Sequence, residues 1–140
     1  MAHLDSIVQL RDQQSYAAAE TMALRMFRQS TSSESDRIRI AVELLRTYAA
    51  HALATPQQQR SFVWNEANQF VIEFQQSQIR SPLAVLVQIQ AALTRLAQAE
   101  IDRLEAEVTA ASPEKIETIR GRLRQVARRT WSKQTIKSAA

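Results

Sequence analysis

A chain of 140 residues with a single glycine, Gly121, and only three prolines has few means of turning sharply. Tight turns draw on Gly, Asn and Asp for their left-handed positions, so a sheet protein of this length would need many more of them. Each proline here follows a hydroxyl residue, in Thr55-Pro56, Ser81-Pro82 and Ser112-Pro113. That pair marks a helix start. The hydroxyl accepts one of the amides left over at the first turn, and proline lacks an amide that would go unpaired there anyway. The punctuation of this chain therefore opens helices and does little else, and the expected fold class is all-α.

The apolar spacing predicts five helices. The first runs over 4–28 with Ile7, Leu10, Ala17, Thr21, Leu24 and Phe27 along one side, followed by a Ser/Thr-rich linker. Ser32 or Ser33 caps the second helix (34–53), whose stripe is Ile38, Ala41, Leu45, Tyr48, Ala49 and Ala52, with Glu34 and Asp36 in the first turn. The third (56–77) carries Val63, Ala67, Phe70, Val71 and Phe74. The fourth (82–111) shows Leu86, Ile89, Leu93 and Leu96 in 3-4-3 spacing, then Ile101, Leu104 and Val108 in a register shifted by one, because Glu100 takes the predicted apolar place. Such a shift predicts a change of packing partner. The fifth, from Pro113, offers Ile116, Ile119, Leu123, Val126 and Thr130, and the short corner 110–113 folds it back on the fourth. The expectation is a compact bundle of about five helices. A three-helix body (1–81) packs on the Leu83–Leu96 half of a long antiparallel helical hairpin (82–140), all in one domain.

Charge is distributed unevenly. Segment 113–140 holds eight Lys or Arg against two Glu, a balance of +6; segment 1–112 holds 10 against 12, a balance of −2; together they give the overall +4. Glu100, Asp102, Glu105 and Glu107 are expected to neutralise the start of the basic helix from across the hairpin. Arg128, Arg129, Lys133 and Lys137 lie beyond that stretch and are expected to face an acidic partner. Arg122, beside them, and Trp131 near the boundary complete this candidate surface. On the third helix Trp64 falls about 100° from Val63, off the apolar stripe, and is a candidate interface anchor.

Catalytic and cofactor chemistry finds few residues to work with. There is no cysteine, and the two histidines, His3 and His51, stand in no HxxH, HExxH or ExxH pairing, so no metal is expected. Glu66 and Glu73 lack the ExxH partners of a di-metal carboxylate bundle. With Gly121 inside a helix there is no glycine-rich phosphate loop, and no cofactor is expected. The longest apolar run, 83–87, is far short of the roughly 20 residues of a membrane span, and Asp5, Arg11 and Asp12 interrupt any secretory signal, so a cytoplasmic protein that does not enter a membrane is expected. No nucleophile–base–orienter set can be assembled.

The resulting expectation is a non-enzymatic protein–protein interaction module, an assembly factor, adaptor or scaffold working through helical faces on a partner with an acidic or apolar face. The alternative is a nucleic-acid binder that lays its basic C-terminal helix on phosphates, although no helix-turn-helix, zinc or RNP pattern accompanies the charge. Leu83, Val85, Leu86, Val87 and Ile89 put apolar residues on several sides of the fourth helix, more than one packing partner covers, which predicts a homodimer or higher oligomer.

Overall fold

The computed structural model of the chain describes residues 2–29, 32–108 and 112–131. Lys133 and Lys137 lie outside them. The described residues are all-helical, with six α-helices: α1 (Ala2–Asp12), α2 (Tyr16–Arg28), α3 (Glu34–Ala54), α4 (Arg60–Gln76), α5 (Val85–Val108) and α6 (Pro113–Thr130). Single 3₁₀ turns, Gln57–Gln59 and Pro82–Ala84, lead into α4 and α5.

The extra helix comes from a break inside the expected first helix. Gln14 sits in the left-handed region at φ 64°, the Gln14 amide donates to the Arg11 carbonyl (2.9 Å) and the Ser15 amide to the Leu10 carbonyl (2.8 Å). These two bonds form a Schellman ending, in which glycine normally occupies the left-handed position. Glutamine there carries no turn signal, so the periodicity on either side reads as one helix. Breaking here lets α1 fold back against α2, with both packed on α3.

Three of the cap expectations are met as read. The Ser33 hydroxyl accepts from the Asp36 amide (3.1 Å), Ser81 from Leu83 (3.2 Å) and Ser112 from Lys115 (3.4 Å). Thr55 differs. It closes α3 by donating its hydroxyl to the His51 carbonyl (2.6 Å), and α4 begins at Arg60 after an extended Pro56. The carbonyl of His51, one turn back in α3, takes the hydroxyl that the Thr55-Pro56 pair assigns by sequence to the next helix.

Helix α3 is the centre of the fold. Beyond the expected stripe it also buries Ile40, Glu43, Leu44, Thr47 and Ala50 on its other side, and it packs against α1, α2, α4, α5 and α6. A helix buried around most of its circumference is an interior one. Phe27 from α2 meets Phe70 edge-on at 5.1 Å and Phe74 at 5.9 Å, under the Arg37 guanidinium at 4.5 Å. One hydrophobic cluster runs through these residues from Ile7 to Val126.

The face that the N-terminal half of α5 turns inward is not the expected one, whereas Ile101 and Leu104 are buried as expected. Val87, Gln90, Ala91, Thr94, Ala97, Ile101 and Leu104 are buried, in an unbroken 3-4 rhythm with no register shift. Leu86, Ile89 and Leu96, one position away, are 46%, 51% and 67% exposed. Leu45 of α3 lines one groove with Ala91 and Thr94 of α5, so small side chains of α5 stand where the two helices pack. The bulk of the α5 side chains points the wrong way for its position to be read from hydrophobicity alone.

Polar residues thread the same interior. Arg11 of α1, 3% exposed, donates to the Glu43 carboxylate of α3 (2.8 Å), and Arg46 donates to its other oxygen (2.9 Å). Arg46 also reaches Gln90 of α5 (3.0 Å), which donates to the Thr130 carbonyl at the end of α6 (3.0 Å). Removing one partner from a buried ion pair leaves an uncompensated charge and costs about 3–5 kcal/mol, whereas removing both is far cheaper. Glu43→Leu is thus expected to lower unfolding stability in urea by that amount, and Arg11→Met with Glu43→Leu by clearly less.

The lone glycine and the left-handed glutamine suggest a paired test. A Cβ on Gly121 would meet nothing closer than the Arg124 side chain at 3.7 Å, and the residue has ordinary helical φ, so it marks no close approach of a neighbour. Gly121→Ala is expected to stabilise the chain by about 1 kcal/mol, and Gln14→Gly by about 0.5–1 kcal/mol through relief of the left-handed strain. Urea midpoints of the two variants check both signs.

Candidate interaction surfaces

The sequence-predicted site residues do not gather in one place. Arg122, Arg128 and Arg129 are exposed on α6, Trp131 is half-buried against the core at its end, and Trp64 is on α4. Trp64 is only 5% exposed and belongs to the core, which corrects its expected place on the surface. Helix α4 packs on α3, and the indole borders a groove of about 240 Å³ that Ala67 and Val71 of α4 share with Ala91 and Thr94 of α5. The Trp64 Nε1 and the Thr94 hydroxyl are both buried there without a hydrogen-bond partner. An offset of 100° from an apolar stripe on a helix is still within reach of a second neighbour, and that is how the surface reading of Trp64 fails.

Helix α6 buries Ile119, Val126 and Thr130 and turns its arginines outward. The acidic stretch of α5 supplies less counter-charge than expected. Glu105 takes both ends of the Arg60 guanidinium at 2.7 Å, while Arg103 binds Glu100 (2.7 Å) and Glu107 (2.9 Å) along α5 itself. Arg60 also donates to the Ala52 and Thr55 carbonyls, which ties the end of α3 to α4 and α5. Glu100 is the exception. Its carboxyl is held below the usual range first by the hydrogen bond from Arg103, with the charges of Arg103, Arg129 and Arg122 adding to it. Arg129 thus has an internal counter-charge that its position beyond residue 107 did not suggest, and it shares a groove with Leu93, Leu96, Glu100 and Val126. On the outer side Arg120 meets Glu117 at 3.7 Å, a pair open to solvent and worth little.

The second surface is apolar. Leu83 (52% exposed) and Val85 (48%) continue the outward row of Leu86, Ile89 and Leu96, so the N-terminal half of α5 shows solvent a nearly continuous hydrocarbon face. Scattered exposed leucines are ordinary, but contiguous ones mark interaction sites. Sequence reasoning named these residues and assigned several of them to the interior of the hairpin.

Titratable groups of α2, α3 and α4 surround Tyr48, whose hydroxyl pKa is pushed up first by burial and then by the charges of Glu20 and Glu66. Glu73 pairs with Arg28 through two bonds (2.8 and 2.9 Å), which lowers its pKa. His51 meets Glu20 at 2.8 Å and stacks on Tyr16 at 5.3 Å; burial raises the Glu20 carboxyl, and the His51 contact opposes this. Among the described residues no group of three His, Cys, Asp or Glu is placed to hold a metal ion, and no helix is long and apolar enough to cross a membrane.

Comparison with protein-family models, with curated proteins and with solved structures gives no match.

If the outward arginines of α6 serve only solvation, Arg128→Gln with Arg129→Gln is expected to change unfolding stability by less than about 0.5 kcal/mol. Because Arg129 faces Glu100, the single Arg129→Gln variant is expected to raise the Glu100 pKa, which carboxyl NMR titration would register; an unchanged Glu100 would contradict the placement of α6 along α5.

Proposed function

We propose that this chain is a non-enzymatic interaction module, an assembly or scaffold protein that works through the outer face of α5. The observation that carries the reading is that face itself: Leu83, Val85, Leu86, Ile89 and Leu96 are each about half exposed or more. Holding such residues in water costs roughly 25 cal/mol per Å² of apolar area, and a partner that covers them recovers that free energy. The α5–α6 hairpin provides a firm platform for the face, since Gln90 and Thr130 lock the two helices together behind it.

A second reading has its own observation. Arg120, Arg122, Arg124 and Arg128 are exposed along α6, with Glu114 and Glu117 the acidic residues on that helix, and arginine forks suit phosphate well. In this reading the helix lies on a nucleic-acid backbone, and binding would weaken steeply with salt, with a log–log slope near −0.9 per phosphate neutralised on duplex DNA.

Affinity capture separates the two. The immobilised full chain is expected to retain protein partners after nuclease treatment and in high salt, and Ile89→Asp is expected to release them. Retention of nucleic acid that disappears with Arg124→Gln and Arg128→Gln, while Ile89→Asp changes nothing, would transfer the function to α6.

A further inference from the structure

We infer that the occupant of the α5 outer face is a second copy of this chain, paired antiparallel about a twofold axis that passes beside Ala92; this rests on the α5 face being the functional surface. The argument begins with charge. Between Leu83 and Ala99 the sequence has one ionisable residue, Arg95, and Arg95 lies on the other flank of the helix, along the groove with α4. The outward residues of α5 itself are therefore uncharged as well as apolar, with Arg129 of α6 and Glu100 bordering them at the Leu93–Leu96 end, a pattern suited to another helix.

The spacing then fixes how a like helix would fit. Leu86, Ile89, Leu93 and Leu96 form a 3-4-3 row about 15 Å long, exposed except for Leu93, which is part-buried beside α6, and this row reads the same in both directions. Laid antiparallel, Leu86 meets Leu96 of the second copy and Ile89 meets its Leu93, the layers of an antiparallel coiled-coil seam. The row beside it, Val85, Ala92 and Ala99, is spaced by seven. In the same register Val85 lies against the second copy's Ala99, and Ala92 lies against its own equivalent on the axis. The small side chains at 92 and 99 allow the two backbones to come close.

The ends of the row choose the direction. Exposed Arg80 precedes it and Glu100 follows it. A parallel pair would set Arg80 beside Arg80 and Glu100 beside Glu100. The antiparallel pair brings each Glu100 over the Pro82 turn of the other copy, next to Arg80, so that opposite charges flank the seam at both ends. The Glu100 carboxylate is already held by Arg103 at 2.7 Å, so Arg80 contributes orientation more than a new bond. Burying the same patch on both copies is the isologous contact that a twofold requires. A contact made by one helix from each copy falls at the small end of specific interfaces, below about 1,200 Å² in total, and predicts dissociation in the micromolar range.

The native chain contains no cysteine, which gives a direct test. The full chain with Ala92→Cys is expected to form an intermolecular disulfide rapidly in air, while Gln125→Cys, exposed on the outer side of α6, is not. Sedimentation of the unsubstituted chain is expected to move from 15.9 kDa toward twice that mass between about 1 and 200 µM. Ile89→Asp is expected to weaken the dimer at least tenfold with an unchanged helical circular dichroism spectrum. A monomer at every concentration overturns the inference, as does a dimer indifferent to Ile89→Asp, or equal crosslinking of the two cysteine variants. A monomer whose captured protein partner is nonetheless lost with Ile89→Asp removes the second copy and leaves the functional reading of the face intact. A monomer that captures nothing removes both.

Discussion

Glu43 is the point on which the helices converge. Its carboxylate is 5% exposed and receives a guanidinium from α1 and another from its own helix. Through Arg46 and Gln90 the polar chain continues to the last residue of α6. A buried carboxylate tolerates few arrangements, because each of its oxygens must be satisfied and each displaced partner leaves a charge in a medium of low dielectric. Hydrophobic burial would accept α1, α5 and α6 in several rotations about α3. The bonds of Glu43 and Arg46 are made in one of them, the one that turns Gln90 of α5 toward α3.

That orientation has a consequence at the surface. With Gln90, Thr94 and the small residues Ala91 and Ala97 turned toward α3, the larger Leu86, Ile89 and Leu96 are left outside. A helix in a two-layer domain has one apolar stripe to bury; α5 has two adjoining ones and buries the smaller. The arrangement is costly for an isolated copy and sensible for one that meets a partner. The arginines of α6 are different in kind, since they are exposed to water where they stand.

The fold was legible in part. The hydroxyl–proline pairs and the want of glycine marked helix starts at Pro82 and Pro113 and excluded a sheet protein, because capping is a local interaction between residues three apart or fewer. The break at Gln14 was not legible. A Schellman ending needs a left-handed residue, and a glutamine forced into that conformation by the packing of α1 on α3 looks like any helix former. Trp64 was misplaced for a related reason: a wheel drawn for the contact with α3 does not show the groove that α4 shares with α5. The N-terminal half of α5 was misread because hydrophobicity ranks Leu above Ala and Thr, whereas Ala91 and Thr94 are the residues that stand beside Leu45 of α3.

The sequence by itself determined that this chain is helical, where several of its helices begin, and that its net positive charge lies at its C-terminal end, since all three follow from backbone preferences and composition. Only the tertiary structure decided that α3 is the interior helix, that Glu105 and Glu100 answer to Arg60 and Arg103 before α6, and that the leucines of α5 face outward. Apart from the local Glu100–Arg103 pair, these depend on which side chains meet across about 30 to 45 residues of sequence, where the satisfaction of a buried carboxylate and the volumes of facing side chains outweigh any local preference.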